Sequence, residues 1–369
     1  MESGRERVIK AINHVEPEIV PVSMLGFDPV EPWLRRFEAQ DPYDLREKLG
    51  LDTQFVRPVY TGPNAARGLD VWGNGAGVTG ANGAGYGSAH GDFPLADAST
   101  VAEIDSYAWP SPDDFDYAVA AEVLRSVPQA SARVIRMTYS MQRPAQSRTQ
   151  AARSSFAGLY LLCSLFDLFG MEDALAKLYY EPRLIEAAVS QLEAFLLGFE
   201  ERLLAATRGL ADILHFEDDF ASQQGMLLSP DHWRRFLKPT YKKIYALARS
   251  SGLKLEIHSC GTFRPVLPEM IDMGMDVWEP AQLHLPGNDP AELKREYGQH
   301  LTISGGISSQ RTLPLGTPED VRAEVRERIA VLGRGGGYIC GPDHTVLADV
   351  PPENVFALLE AARTFRFQE

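Results

Sequence analysis

The sequence predicts an α/β chain folded as a (β/α)8 TIM barrel with N-terminal and loop insertions. Two observations predict it. Eight short β-like runs are spread over 369 residues, and helical patterns separate most of them. Strand–helix alternation implies a parallel sheet covered by helices, and eight strands suggest that the sheet closes on itself.

The runs are residues 19–23, 54–59, 133–138, 212–216, 253–257, 275–278, 301–304 and 337–339. Between the fourth and fifth, a helix is expected over 230–249. Ser229 stands as its N-cap and Pro230 at its first position, where the missing N–H costs nothing. Residues 263–273, 318–332 and 353–365 show the apolar spacing of helices that bury one face. Two insertions break the alternation. Residues 60–130 are rich in glycine, proline and acids, as in a flap or irregular hairpins over the barrel mouth, and residues 150–208 have room for about three helices. The whole chain, 1–369, reads as a single barrel domain. The first insertion holds Gly75-Ala76-Gly77-Val78-Thr79-Gly80, a GxGxxG match. The glycine-rich stretch after it cannot form the helix that would hold a pyrophosphate, so it is not read as a dinucleotide site.

Composition excludes several function classes. The net charge of −14 leaves no excess of Lys and Arg to replace the counterions of a nucleic acid. No run approaches the 18 or so apolar residues of a membrane span. The charged N-terminus shows no apolar stretch of a secretory signal. Three unevenly spread cysteines make no disulfide framework. A reducing cytoplasm is the expected compartment, where free thiols remain available for metal or catalysis.

The most informative residues are His258, Cys260 and Cys340. One imidazole and two thiolates suit a borderline-soft ion such as Zn2+, and three protein ligands leave a tetrahedral position open. Residues i and i+2 of a strand share a side, so His258 and Cys260 could grip one ion. The competing reading makes the cysteines small buried hydrophobes and His258 a satisfied core histidine, and spacing alone leaves both open. Position favours the metal: His258 and Cys260 end the fifth run, Cys340 the eighth, Glu217 the fourth and Glu279 the sixth. A barrel keeps its chemistry at the C-terminal ends of its strands. Glu217, Asp218 and Asp219 are candidate catalytic or binding groups against the alternative of a solvated loop start. His344 is a candidate substrate residue or a loop cap. Arg136, Tyr139 and Arg143 could bind an anionic substrate, and Cys163, in an apolar helix, is read as core.

The order of motifs resembles the uroporphyrinogen decarboxylase superfamily, which also contains zinc-dependent, corrinoid-linked methyltransferases. The resemblance runs through Arg5-Glu6-Arg7-Val8, Glu217-Asp218-Asp219 with Gln223, Ser229-Pro230 and His258-Ser259-Cys260-Gly261. It continues through 274–282, Gly305-Gly306-Ile307 and Pro351-Pro352-Glu353-Asn354. Ala221 departs from it where relatives more often carry glycine. The decarboxylase's arginine-rich N-terminal segment is missing, since the first run continues into Met24-Leu25-Gly26-Phe27-Asp28-Pro29. His-x-Cys with a distant Cys resembles the methyltransferase branch, which implies His258, Cys260 and Cys340 as zinc ligands. By similarity to cobalamin-independent methionine synthases, Glu279 is implied as the fourth.

The expected function is then a zinc-dependent methyltransferase that moves a methyl group between a corrinoid and a small-molecule thiol or an O- or N-methylated substrate. No corrinoid-binding DxHxxG stretch occurs, so the corrinoid (cobalamin) is expected on a separate protein. The alternatives are a metal-independent, decarboxylase-like lyase using Asp218 and Asp219, and a non-catalytic barrel that binds a small ligand.

Overall fold

The structure, a computed structural model, describes residues 2–74, 93–141 and 156–367. Seven parallel strands form its centre: β1 (Thr53–Val56), β2 (Ala132–Arg136), β3 (Ile213–Glu217), β4 (Lys254–His258), β5 (Val277–Ala281), β6 (Thr302–Ile307) and β7 (Tyr338–Pro342). They are hydrogen-bonded in sequence order, β1 beside β2 and so on to β7. An extended segment, residues 20–24, closes the ring between β7 and β1. Cys340 N–H donates to Pro21 O at 2.8 Å, Ser23 N–H to Cys340 O at 3.0 Å, and Asp52 N–H to Val22 O at 2.9 Å. Pro21 offers no N–H, which helps keep this eighth stave a single bridge, Val22 to Cys340, rather than a ladder. Buried Arg46 compensates by tying the stave to β1, donating to Met24 O at 2.7 Å, Thr53 O at 3.0 Å and Thr53 Oγ1 at 2.9 Å.

All eight expected runs lie on these staves, and the molecule is an α/β TIM barrel. Strand parity sorts its side chains. Phe55, Val134, Ile213, Val277 and Ile339 pack with Val8, Ala11 and Ile12 of α1 (Gly4–Ile12), which closes the barrel floor. Their neighbours Val56, Ile135, Leu214, Trp278 and Cys340 belong to the larger cluster under the surrounding helices. Burial of each large apolar side chain in such a layer contributes about 1.5–3 kcal/mol.

The helices expected between strands are present, with two local differences. The run after Ser229 opens as Pro230–His232, widens to a π-turn over Trp233–Leu237, and continues as α4 (Lys238–Ser250). Pro239 has no N–H to close onto the preceding turn, and the wider turn relieves that mismatch. Where a helix was expected from residue 263, α5 spans only Leu267–Met273; Pro265 and Pro268 both lack the N–H an earlier start would use. The second insertion supplies three helices, α2 (Leu162–Phe169), Met171–Tyr180 and α3 (Pro182–Ala206). The described part of the first insertion adds Phe115–Asp116 to a small sheet with Val59–Tyr60, Thr138–Ser140 and Phe156–Gly158. The GxGxxG stretch and Arg143 lie outside the described residues. Among those described, no helix is long and apolar enough to cross a membrane.

Candidate metal centre and the charged barrel interior

Towards the C-terminal mouth the inward parity positions turn polar. Arg136 on β2, His215 and Glu217 on β3, Glu256 and His258 on β4, and Glu279 on β5 all face the barrel axis and are buried. Adjacent pairing sets their levels: His258 is level with Glu217 on one side and Glu279 on the other.

His258 ends β4, and the chain then turns sharply. Gly261 makes the turn possible at φ +83, where a Cβ would stand 2.1 Å from Ser222 O. The turn is held from three directions. Gly261 N–H donates to Gln282 Oε1 at 2.7 Å, Asn288 Nδ2 donates to Gly261 O at 3.1 Å, and Thr262 N–H donates to Ser222 O at 3.1 Å. Asp219 Oδ1 accepts the Cys260 N–H at 2.7 Å and lies 3.7 Å from His258 Nε2. The result sets Cys260 Sγ 3.8 Å from His258 Nε2.

The loop after β7 brings in His344. The ligand atoms of His258, Cys260 and His344 lie within 4.8 Å of one another. Asp343, fully buried, anchors this loop: its N–H donates to Ile307 O at 2.9 Å, and its Oδ1 accepts from Ser309 N–H at 2.8 Å and Ser309 Oγ at 2.6 Å. Its Oδ2 lies 3.1 Å from His284 Nδ1. One sulfur and two imidazole nitrogens converging at the barrel mouth fit a zinc ion. The electrostatics fit as well. Burial and Asp219 push the Cys260 thiol up to about 11, so a positive partner is needed to hold it as thiolate. Burial and nearby His258 push His344 down, towards the neutral form that binds metals.

Below the cluster lies a charge network. Arg136 is paired with Glu217, and His215 stands between two carboxylates, with Nδ1 2.7 Å from Glu256 Oε1 and Nε2 3.1 Å from Glu217 Oε2. Tyr160 hydroxyl donates to the other Glu217 oxygen at 3.0 Å. Burial alone would raise the Glu217 carboxyl, but Arg136 and His215 beside it hold it well below its ordinary range. Both Arg46 and Arg136 lie over the Phe55 ring, at 4.5 and 5.3 Å from its centroid.

Several expected roles are not what these contacts provide. Cys340 is not brought to the cluster. Ile339 occupies the inward position of β7, so Cys340 points outward, on the same side as Tyr338, and burial pushes its thiol up to about 12. Glu279 Oε2 lies 3.0 Å from His258 Nδ1, the ring nitrogen away from Cys260. It therefore supports the histidine rather than standing beside the sulfur. Glu217 is occupied by Arg136, His215 and Tyr160. Asp218 is a helix cap: it accepts the N–H groups of Leu161, Leu162 and Cys163 at 3.1, 2.7 and 3.1 Å, and Tyr241 hydroxyl at 2.7 Å. Burial raises its carboxyl to about 6. Tyr139 is buried, and its hydroxyl accepts Val71 N–H at 2.9 Å. Cys163 is buried core, as expected.

Sequence reasoning missed His215, Glu256, Tyr160, His284 and Asp343. One signal was available: in Ile213–Glu217 (ILHFE) both polar residues share the parity of Ile213.

Comparison with known proteins follows the same lines. Residues 132–365, well over half of the chain, match the family model described as Uroporphyrinogen decarboxylase (URO-D). The chain is 30% identical over 151 residues to a methylcobamide:CoM methyltransferase, MtaA, of Methanosarcina barkeri, a stretch that covers 41% of each protein. It is 26% identical over 190 residues to a uroporphyrinogen decarboxylase of Psychromonas ingrahamii, 50% of this chain and 49% of that one. The matches thus span about half the length of these curated relatives or less. A methyltransferase from Methanosarcina mazei shares the fold with a TM-score of 0.65 at 19% identity, over 98% of both chains.

Proposed function

This chain belongs to the uroporphyrinogen decarboxylase (URO-D) family, and from that premise we propose that it is a zinc-dependent methyltransferase. It moves a methyl group between a corrinoid carried by a separate protein and a small-molecule thiol or an O- or N-methylated compound, in the cytoplasm, as one barrel domain with two insertions. The observation that carries the reading is the soft-donor cluster begun by Cys260 Sγ and His258 Nε2, 3.8 Å apart at the C-terminal barrel face. The methyltransferase similarity, methylcobamide included in that relative's name, supports the same reading.

His258 and Cys260 would hold the ion. Bound zinc would supply the positive charge that keeps a thiol deprotonated at neutral pH and an open position for a substrate sulfur, oxygen or nitrogen. The remaining work falls to the chain. Glu279 holds His258 by Nδ1, which turns Nε2 towards Cys260. Asp219 fixes the Cys260 backbone. Arg136 balances Glu217 inside the barrel, so that carboxylate stays charged without seeking the mouth. The lyase alternative would use Asp218 and Asp219; the oxygens of Asp218 are already engaged by three backbone donors and Tyr241, and Asp219 Oδ1 accepts the Cys260 N–H.

The test is elemental analysis of the purified chain, followed by spectroscopy of a methylated corrinoid supplied in trans with candidate thiols. About one zinc per chain and conversion of methyl-cobalt(III) to cobalt(I) are expected. A zinc-loaded protein that changes no corrinoid with any donor or acceptor would favour the lyase or the ligand-binding barrel.

A further inference from the structure

We infer that the third protein ligand is His344 and that Cys340 takes no part, so that the centre is built from two imidazoles and one thiolate. This rests on the zinc reading above and specifies its donor set.

The first argument is strand parity. Side chains alternate along β7, and Ile339 is committed to the barrel floor beside Val277 and Ile213. Cys340 must then point out, and it does: it lies with Tyr338 in the cluster under the helices and stands near Glu324 of α6 (Pro318–Leu332). To turn Cys340 inward, β7 would have to slip by one residue. That would break the pairings Ser304 to Ile339, Gly305 to Cys340 and Gly306 to Gly341, and would expel Ile339 from the floor. A nearby carboxylate, Glu324, also opposes a thiolate there.

The second argument is that His344 is built into place. Asp343 is pinned by Ser309 through two donors, by its own N–H to Ile307, and by His284. Ile307 ends β6 and His284 follows β5, so the residue before His344 is tied to the adjacent strand end and to the loop one strand further round the barrel. Among the described residues, Cys340 belongs to no group of His, Cys, Asp and Glu with converging ligand atoms, whereas His344 does.

The donor set has a chemical consequence. One thiolate and two neutral imidazoles around a divalent ion leave a net positive charge, whereas two thiolates and one imidazole would leave none. The open position is therefore better matched to a substrate that binds as an anion, a thiolate above all, than to a neutral ether or amine.

The test replaces zinc by cobalt(II) in the full chain and reads the sulfur-to-cobalt charge-transfer band, with zinc affinity measured by chelator competition. Wild type should show the intensity of one thiolate. Cys340→Ala should leave both the band and the affinity unchanged. His344→Ala should weaken zinc by at least about tenfold to a hundredfold, the range for losing even a supporting partner of a ligand. Should His344→Ala fail to fold, His344→Cys decides the matter, because it should roughly double the band. Two-thiolate intensity in wild type, or loss of metal in Cys340→Ala, overturns the donor set while leaving the zinc reading intact. A wild-type chain that binds neither metal overturns both.

Discussion

Glu279 Oε2 lies 3.0 Å from Nδ1 of His258, while Cys260 Sγ lies 3.8 Å from Nε2 of the same ring. The histidine is thus held by a carboxylate on one nitrogen and presents the other to the cluster. Burial would raise the Glu279 carboxyl, but His258 beside it holds it down, so it accepts the Nδ1 proton as a carboxylate. Such a partner fixes ring orientation and tautomer. Glu279→Ala is expected to weaken zinc by about tenfold to a hundredfold. Glu279→Gln, which can still accept through its amide oxygen, should lose less. Chelator competition on folded protein checks both, and equal zinc affinity in wild type and Glu279→Ala would remove Glu279 from the site.

The pair Arg136 and Glu217 is fully enclosed, at 1% and 5% side-chain exposure. Removing one member leaves the other charge buried, which costs about 3–5 kcal/mol. Arg136→Met should therefore lower the free energy of unfolding by about that amount in urea. Adding Glu217→Gln should restore part of it, since the carboxylate left unbalanced would be gone. If Arg136→Met costs less than about 1 kcal/mol, His215 and Tyr160 satisfy Glu217 without it.

Glu200 provides a pH dependence away from the candidate site. It is fully buried on α3, and burial with neighbouring Glu201 raises its carboxyl from 4.5 to about 9. The folded chain therefore favours the protonated acid more than the unfolded chain does. Its contribution to stability is fully present below about pH 4.5 and is lost as pH rises towards 9. Glu200→Gln keeps the shape and removes the titration. At pH 7 it should stabilise the fold by about 2–3 kcal/mol, and by little at pH 4.5. Denaturation midpoints for the two proteins that run parallel from pH 5 to 8 would contradict this.

The barrel and half of the candidate centre were legible because strand ends are marked in sequence by apolar runs that stop at a polar residue or a glycine. His258 and Cys260 are near neighbours whose geometry follows from one strand end. Cys340 shows where that reasoning stops. In Gly337-Tyr338-Ile339-Cys340, nothing local says whether Ile339 or Cys340 faces the axis, because both sides of a barrel strand are buried. The choice is made by Val8, Ala11 and Ile12, more than three hundred residues earlier. Asp218 is similar. Its backbone donors lie 55 to 57 residues before it, so one carboxylate of an acidic run that reads as candidate catalytic groups or a loop start is in fact the cap of α2.

His284 carries the last prediction, because its Nδ1 lies 3.1 Å from the same Asp343 carboxylate that Ser309 grips from the other side. If that clamp sets His344, what matters at position 284 is one N–H at the place of Nδ1, not an imidazole as such. His284→Ala removes the donor and should weaken zinc by about tenfold or more. An asparagine side chain can offer its amide N–H near that place, so His284→Asn should recover most of the affinity. Glutamine carries its amide one carbon further and should recover little. The order Ala and Gln weak, Asn strong, would identify a positioning residue, which general loosening of the loop would not reproduce. Equal zinc affinity in all three variants would show that His344 is held without the clamp.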